Sequence, residues 1–337
     1  MENSETSLIE TGSLTVSNFL SKENRVELVE GIYRGLTRSQ KQISSRFFYD
    51  DTGSELFEKI TGLPEYYPTR TEKRILQDNA GDISGDFDHI DIVELGSGDC
   101  SKISILLDKV PKRKISNITY IPVDVSEAAV LKSANILSCK YHGLKIHGVL
   151  ADFMKHLDSL PGNSPRLICF FGSTLGNLTR KEVNEFLLNL KYLMKPGDKL
   201  LLGLDMVKDH LILQKAYNDT QGVTAQFNKN CLNVINDNAE TNFNTSDFRH
   251  LAFYNEKEVR IEMHLVALKN VRVTSKYFPK SILITKGETI HTENSHKFLP
   301  EHITQLEKVS GLNLKKSFTD ANRHFSLNLF EYPTLNS

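Results

Sequence analysis

Val93-Glu94-Leu95-Gly96-Ser97-Gly98 is the stretch on which the fold turns. An apolar run that passes directly into glycines is how a doubly wound α/β sheet ends a strand and brings its backbone close to a nucleotide-like ligand. A dinucleotide fingerprint requires a third glycine three residues after the second, for close packing at the pyrophosphate, and that position is Ser101. The match is to G-x-G alone. Two further apolar runs end in acids: Ile121-Pro122-Val123-Asp124, and Val149-Leu150-Ala151-Asp152-Phe153, which adds an aromatic ring. A carboxylate at such a strand end can accept hydrogen bonds from both hydroxyls of a ribose. The three endings suit a ligand with ribose and adenine but no phosphate, S-adenosylmethionine, and so predict a methyltransferase.

The composition fits a small-molecule enzyme. At 337 residues the chain is long enough for two domains or one large domain with an insertion. A net charge of -1, with 25% charged and 39% hydrophobic residues, gives no global attraction to nucleic acid or acidic membranes. The four cysteines, Cys100, Cys139, Cys169 and Cys231, form no C-x-x-C pair, which argues against a disulfide framework or zinc knuckle and for a reducing compartment. No apolar run is long enough to span a bilayer, and the first residues lack the pattern of a signal peptide. The expectation is a cytoplasmic monomer acting on a small molecule, with no metal.

Residues 1–13 read as a mobile tail with order beginning near Leu14. Helical spacing follows over 26–36 and 51–60, then Gly62-Leu63-Pro64-Glu65-Tyr66-Tyr67-Pro68-Thr69-Arg70 breaks helix and places two tyrosines on an irregular loop. A helix over 71–79 leads into strands near 91–95, 118–123, 145–149 and 166–171, a helix over 181–194 and a strand over 199–204. The Asn-rich stretch 206–253 reads as mostly helical. Strands are expected over 259–268, 271–277 and 281–286, then a helix over 300–310 and an antiparallel closing strand over 325–329. The predicted architecture is α/β, a Rossmann-like methyltransferase sheet (71–205 with 297–337) and a substrate-binding unit built from the N-terminal helices and an insertion (14–70 with 206–296).

In this reading Gly96 and Gly98 let the methionine part of the donor approach the backbone and Lys102 meets its carboxylate, though a solvated helix lysine is an equal alternative. Asp124 takes the ribose, against a turn or capping role, while for Asp152 a helix cap is the competing assignment. Asn177, in Phe170-Phe171-Gly172-Ser173-Thr174-Leu175-Gly176-Asn177, sits after the fourth strand where it could hold a substrate carboxylate or amine, or brace the loop.

Several longer words go beyond generic methyltransferase sequence. These are 46–57 (RFFYDDTGSELF), 63–70 (LPEYYPTR), 172–177 (GSTLGN), 222–228 (GVTAQFN) and 260–263 (RIEM). With Val93 to Gly98 they resemble the L-histidine N-alpha-methyltransferases of ergothioneine biosynthesis, over residues 14 to 330. The resemblance implies three successive methylations of the histidine α-amine, giving hercynine. It implies cofactor contacts at Gly96, Lys102, Asp124, Asp152 and Phe153. Asn177 and Tyr217 would hold the substrate carboxylate, Tyr49 and Gly172 would lie near its amine, and Tyr66 would contact the imidazole. Glu293 and Ser295 would grip its other nitrogen, with Thr224, Met263 and Asn294 as further substrate contacts. A carboxylate and a hydroxyl can recognise an imidazole N–H, where an aliphatic or indole side chain would leave them unpaired. Asn294, His296 and His264 depart from the less polar residues expected at their positions, and the histidines 264, 291 and 296 lack zinc-like spacing. No strong base stands out, so Tyr49 with ordered water is the expected proton route from the amine. The alternatives are an N-methyltransferase for another amino acid or amine, and a non-catalytic small-molecule sensor.

Overall fold

The computed structural model describes residues 8–11, 14–20, 25–85, 87–162 and 165–333. In chain order the strands are β1 (Leu8–Thr11), β2 (Leu14–Asn18), β3 (Lys41–Gln42), β4 (Ile90–Leu95), β5 (Ile118–Asp124), β6 (Lys145–Leu150), β7 (Arg166–Phe170), β8 (Lys199–Asp205), β9 (Phe248–Asn255), β10 (Arg260–Ala267), β11 (Val271–Val273), β12 (Ile282–Ile284), β13 (Thr289–His296), β14 (Asn313–Thr319) and β15 (Phe325–Glu331). The chain divides into two compact units: Met1–Ser21, Pro68–Val207 and Phe298–Ser337 form the first, Lys22–Tyr67 and Lys208–Lys297 the second.

The first unit is built on a nine-stranded sheet in the order β1-β2-β6-β5-β4-β7-β8-β15-β14. Strands β2, β6, β5, β4, β7 and β8 run parallel, while β15 joins β8 antiparallel and β14 joins β15 antiparallel. The strand order reverses at β4, so the crevice at its carboxyl end is where an open α/β sheet binds its ligand. Helices cover both faces, which is why these strands are near-continuous apolar runs. Alternate residues feed separate cores: Ile92, Tyr120, Leu167 and Leu201 pack on one side. Val93, Ile121, Ile168 and Leu200 pack on the other. The Arg180–Leu193 helix is started by a capping box in which the Glu182 N–H meets Thr179 Oγ1 at 3.3 Å and the Thr179 N–H meets Glu182 Oε2 at 2.7 Å.

The second unit packs helices Arg25–Leu36, Asp51–Thr61, His210–Tyr217 and Val223–Ala239 around a four-stranded sheet, β3-β13-β10-β9, with β11 and β12 as a separate pair. The asparagines of the long helix have local work. Asn236 exchanges two hydrogen bonds with the Phe243 backbone, and Asn230 donates to Asp50 Oδ1 at 2.7 Å.

Four expectations are corrected. Residues 8–11 are not tail but strand β1, paired with β2, while residues 1–7 and 12–13 of the expected tail lie outside the described residues. Strand β2, expected in the substrate-binding unit, is instead a parallel neighbour of β6 in the large sheet. The loop at 62–70 is shorter, because a helix starts at Tyr67 and runs to Ser84. Pro68 sits in its first turn, where its missing N–H is no loss. The helical reading of 206–253 holds only to Ala239, since residues from Phe248 form β9. Strands β13 and β14 carry too many polar residues to have been read as strands. Among the described residues no helix is long and apolar enough to cross a membrane.

Candidate active site

After β4 the backbone turns through three left-handed residues, Gly96 (φ +70°), Gly98 (φ +50°) and Cys100 (φ +51°), before the Ser101–Leu107 helix. The Gly96 N–H donates to the Val123 carbonyl at 2.8 Å, tying the turn to β5. Ser97 is buried within the turn, and its Oγ has no hydrogen-bond partner among the described residues. Asp124 ends β5 and accepts the Ser126 N–H at 3.0 Å. Loss of water raises its pKa above the ordinary aspartate value, opposed by the N–H groups of Ser126, Gly98, Val125 and Ser97. At the end of β6, Asp152 Oδ1 takes the Met154 N–H at 2.9 Å within a turn, and no helix starts there for it to cap. Phe153 meets Phe170 edge-on at 5.2 Å.

Two acids missed by sequence reading stand beneath this turn. Glu72, fully buried on the Tyr67–Ser84 helix, pairs with Lys102 Nζ at 2.7 Å and accepts the Gly172 N–H on both oxygens at 3.0 and 2.9 Å. Room for it exists because residue 203 is glycine, where a Cβ would lie 2.1 Å from Glu72 Oε1. Glu94, on β4, accepts the Tyr120 hydroxyl at 2.6 Å, and burial pushes its carboxyl up to about 8. Asn177 ends the short 3-10 turn Thr174–Asn177 that follows Gly172 (φ +73°).

The remaining site residues belong to the second unit. Strand β13 pairs with β10 through a β-bulge: Met263 opposes Glu293 and His264 opposes His291, which leaves Thr292 as the extra residue. A regular strand continuing from core-facing Ile290 would turn Asn294 and His296 inward. The bulge instead puts Glu293 and Ser295 on the face shared with Met263 and Ile261. Asn228, fully buried on the Val223–Ala239 helix, holds the bulge by accepting from Thr292 Oγ1 at 2.7 Å and donating to the His264 carbonyl at 3.1 Å. Glu293 is half-buried; loss of water pushes its carboxyl up to about 8, and the Lys297 charge acts in the opposite sense. Lys297 is itself buried, and its Nζ donates to Ser295 Oγ at 2.7 Å and Tyr217 Oη at 3.1 Å, while Tyr217 donates to Ser295 Oγ at 2.7 Å. Tyr66 meets the Tyr217 ring edge-on at 6.2 Å, and Tyr49 meets Phe227 at 5.9 Å. Thr224 is buried at the start of its helix, its N–H donating to Asp219 at 2.8 Å. Asn294 keeps a buried Oδ1 with no hydrogen-bond partner among the described residues.

The opposite face of β10 and β13 gathers Glu262, His264 and His291, whose ligating atoms lie within 4.8 Å of one another. The imidazoles of His264 and His291 stack face to face at 4.7 Å, so their in-plane lone pairs do not converge on one point. Glu262 is engaged with Arg260, Asn255 and His264, which holds its carboxyl down at about 2.

With β4 central, β5 and β6 to one side, β7 and β8 to the other and an antiparallel pair closing the far end, the first unit has the class I methyltransferase fold. Sequence comparison carries the assignment from fold to family. Residues 28–332 match the model of the histidine-specific, SAM-dependent methyltransferases, and the chain belongs to that family. It is 39% identical over 317 residues to a histidine N-alpha-methyltransferase of Mycobacterium tuberculosis, covering 94% of this chain and 98% of that one. It is 40% identical over 319 residues to a histidine N-alpha-methyltransferase of Mycolicibacterium smegmatis, covering 94% and 99%. Ergothioneine biosynthesis protein 1 of Neurospora crassa is 29% identical over 84% of this chain and 32% of its own length.

Proposed function

We propose that this enzyme transfers methyl groups from S-adenosylmethionine to the α-amine of L-histidine, three times in succession, to give hercynine for ergothioneine biosynthesis. The observation that carries the reading is the bulge in β13, which turns a carboxylate, Glu293, and a hydroxyl, Ser295, onto one interior face. Relatives at about 40% identity over nearly their whole length support it.

The turn residues suit the methyl donor, since the buried Ser97 hydroxyl without a partner and the Asp124 carboxyl offer polar groups to a nucleoside. When bound, the donor supplies an electrophilic methyl on sulfur. Gly96 and Gly98 admit its methionine part, Lys102 meets its carboxylate, Asp124 takes the ribose, and Asp152 with Phe153 complete the contacts. Asn177 holds the histidine carboxylate, while Tyr217, whose hydroxyl hydrogen goes to Ser295 Oγ, braces the ring-binding pair instead of the carboxylate that the resemblance gives it. Tyr49 and Gly172 flank the amine; Tyr66, Glu293 and Ser295 take the ring, with Thr224, Met263 and Asn294 around it. Methyl transfer needs a neutral amine held in line, and positioning of that kind is worth up to about 7–11 kcal/mol. Tyr49 and water carry the released proton away.

Incubation with histidine and S-adenosylmethionine should yield mono-, di- and trimethylated histidine by mass analysis. Transfer to another amino acid with none to histidine would overturn the reading. Glu293→Ala should raise KM for histidine about 10-fold or more, from loss of a charged hydrogen bond, with KM for the donor little changed. Equal effects on the two would remove Glu293 from the ring. Tyr49→Phe should slow all three transfers, and full retained rates would end its role in proton transfer.

A further inference from the structure

Glu293, Ser295 and Lys297 follow one another at every second residue, the spacing that puts side chains on one face of a strand. Lys297 has only donors, and two of its hydrogens go to Ser295 Oγ and Tyr217 Oη. Tyr217 gives its own hydroxyl hydrogen to Ser295 Oγ. A serine oxygen has two lone pairs and one hydrogen. Both lone pairs are therefore filled from within the protein, and the only thing Ser295 can still offer a ligand is a hydrogen.

We propose that Lys297 is a positioning residue that acts through Ser295: with Tyr217 it fixes the serine as a donor beside the acceptor Glu293, so that the pair reads one lone-pair nitrogen and one N–H. This rests on the assignment of Glu293 and Ser295 to the substrate ring, and it specifies which ring is taken. A neutral imidazole carries that pattern, as does a pyrazole or triazole. An imidazolium presents two hydrogens, one of them facing the serine's own, and thiophene, phenyl or indole rings leave at least one partner unmatched. Burial raises the Glu293 carboxyl to about 8 in the ligand-free protein; the Lys297 charge opposes that shift, and a ring N–H donated to Glu293 draws it further towards the ionised form, which can only accept.

The test is a double-mutant cycle on the full enzyme, with Lys297→Met and Ser295→Ala made singly and together. Methionine matches the length of the lysine stem, and KM for S-adenosylmethionine reports whether the fold has survived. Lys297→Met should raise KM for histidine about 10-fold, the size of one charge-assisted hydrogen bond, with kcat within about 3-fold. Ser295→Ala should do much the same, and the double variant should be scarcely worse than either alone, because the lysine has nothing left to orient. The preference for histidine over β-(2-thienyl)alanine, measured by competition, should shrink by a similar factor in Lys297→Met. Multiplying effects in the double variant, or an unchanged preference over the thienyl analogue, would overturn the proposal. If Lys297→Met does not fold, Lys297→Gln enters the same cycle; loss of donor binding in both would make the lysine structural and equally overturn it. A wild-type enzyme inactive on histidine would instead refute the function on which the proposal rests.

Discussion

Glu72 shows how much of a site can hang on one side chain that touches no substrate. Its carboxylate joins Lys102 to the Gly172 backbone, so the proposed ligand of the donor's carboxylate and the loop assigned to the amine share an anchor. Glu72→Gln keeps the volume but strands a largely buried ammonium. It should cost about 2 kcal/mol of stability and raise KM for S-adenosylmethionine roughly 10-fold, in thermal unfolding and steady-state kinetics respectively. A donor KM indistinguishable from wild type would mean that Lys102 needs no such anchor. The legible residues in the sequence were those at strand ends, Gly96, Gly98 and Asp124, because their position follows from local pattern alone. Glu72 and Lys297 could not be read that way. An acid in a helix and a lysine after a polar strand look like surface residues until folding places a partner beside them.

At the scale of elements, the bulge in β13 has the most to explain. The run Thr292-Glu293-Asn294-Ser295-His296-Lys297 shows no apolar alternation, and extending the pattern inward from Ile290 assigns every side chain after Thr292 to the wrong face. Only the family resemblance drew attention to Glu293 and Ser295. The parallel strands were legible for the opposite reason: buried on both faces, they stand out as apolar runs. Strand β14 is polar at the edge of the sheet, with Lys315, Lys316 and Ser317 exposed, and so left no signal. Deleting Thr292 should restore regular pairing with Glu293 still opposite Met263, so that Glu293 and Ser295 stay on the inner face, whereas deleting Asn294 should keep the bulge and turn Ser295 and Lys297 outward. Calorimetry should then show S-adenosylmethionine binding retained in both variants and histidine binding lost in the Asn294 deletion alone. Asn228→Ala, which removes the bond to Thr292, should be milder: about 1–2 kcal/mol less stable, with a raised KM for histidine. Histidine affinity surviving the Asn294 deletion would disprove the role given to this face of β13.

Across the whole molecule, buried titratable groups set how stability follows pH. Glu94 and Glu293, both raised from 4.5 to about 8, stay protonated in the folded protein where the unfolded chain has released its protons. Stability therefore falls as pH rises from 4.5 towards 8. His147, His250, His264 and His291 are held below 6.5, so the unfolded chain gains protons first as pH drops, and stability falls below that value. Between 4.5 and 6.5 the two sets oppose each other, while above 6.5 the acids act with little opposition and ligand-free stability falls towards pH 8. Calorimetric scans should show the melting temperature falling from pH 6.5 to 8, and Glu94→Gln should gain on wild type at pH 8 while showing no such gain at pH 5. A wild-type melting temperature still climbing from pH 7 to 8 would contradict this balance.

The threading of the chain has a consequence for biosynthesis. Strand β8 waits for β15 as its neighbour, and the second segment of the other unit, Lys208–Lys297, must be made in between. At roughly 5–20 residues per second, a ribosome leaves that edge of the nascent sheet open for on the order of ten seconds. During that interval the row of unpaired amides along Lys199–Asp205 is a surface for a holding chaperone to cover, and slow codons between β8 and β15 would lengthen the exposure.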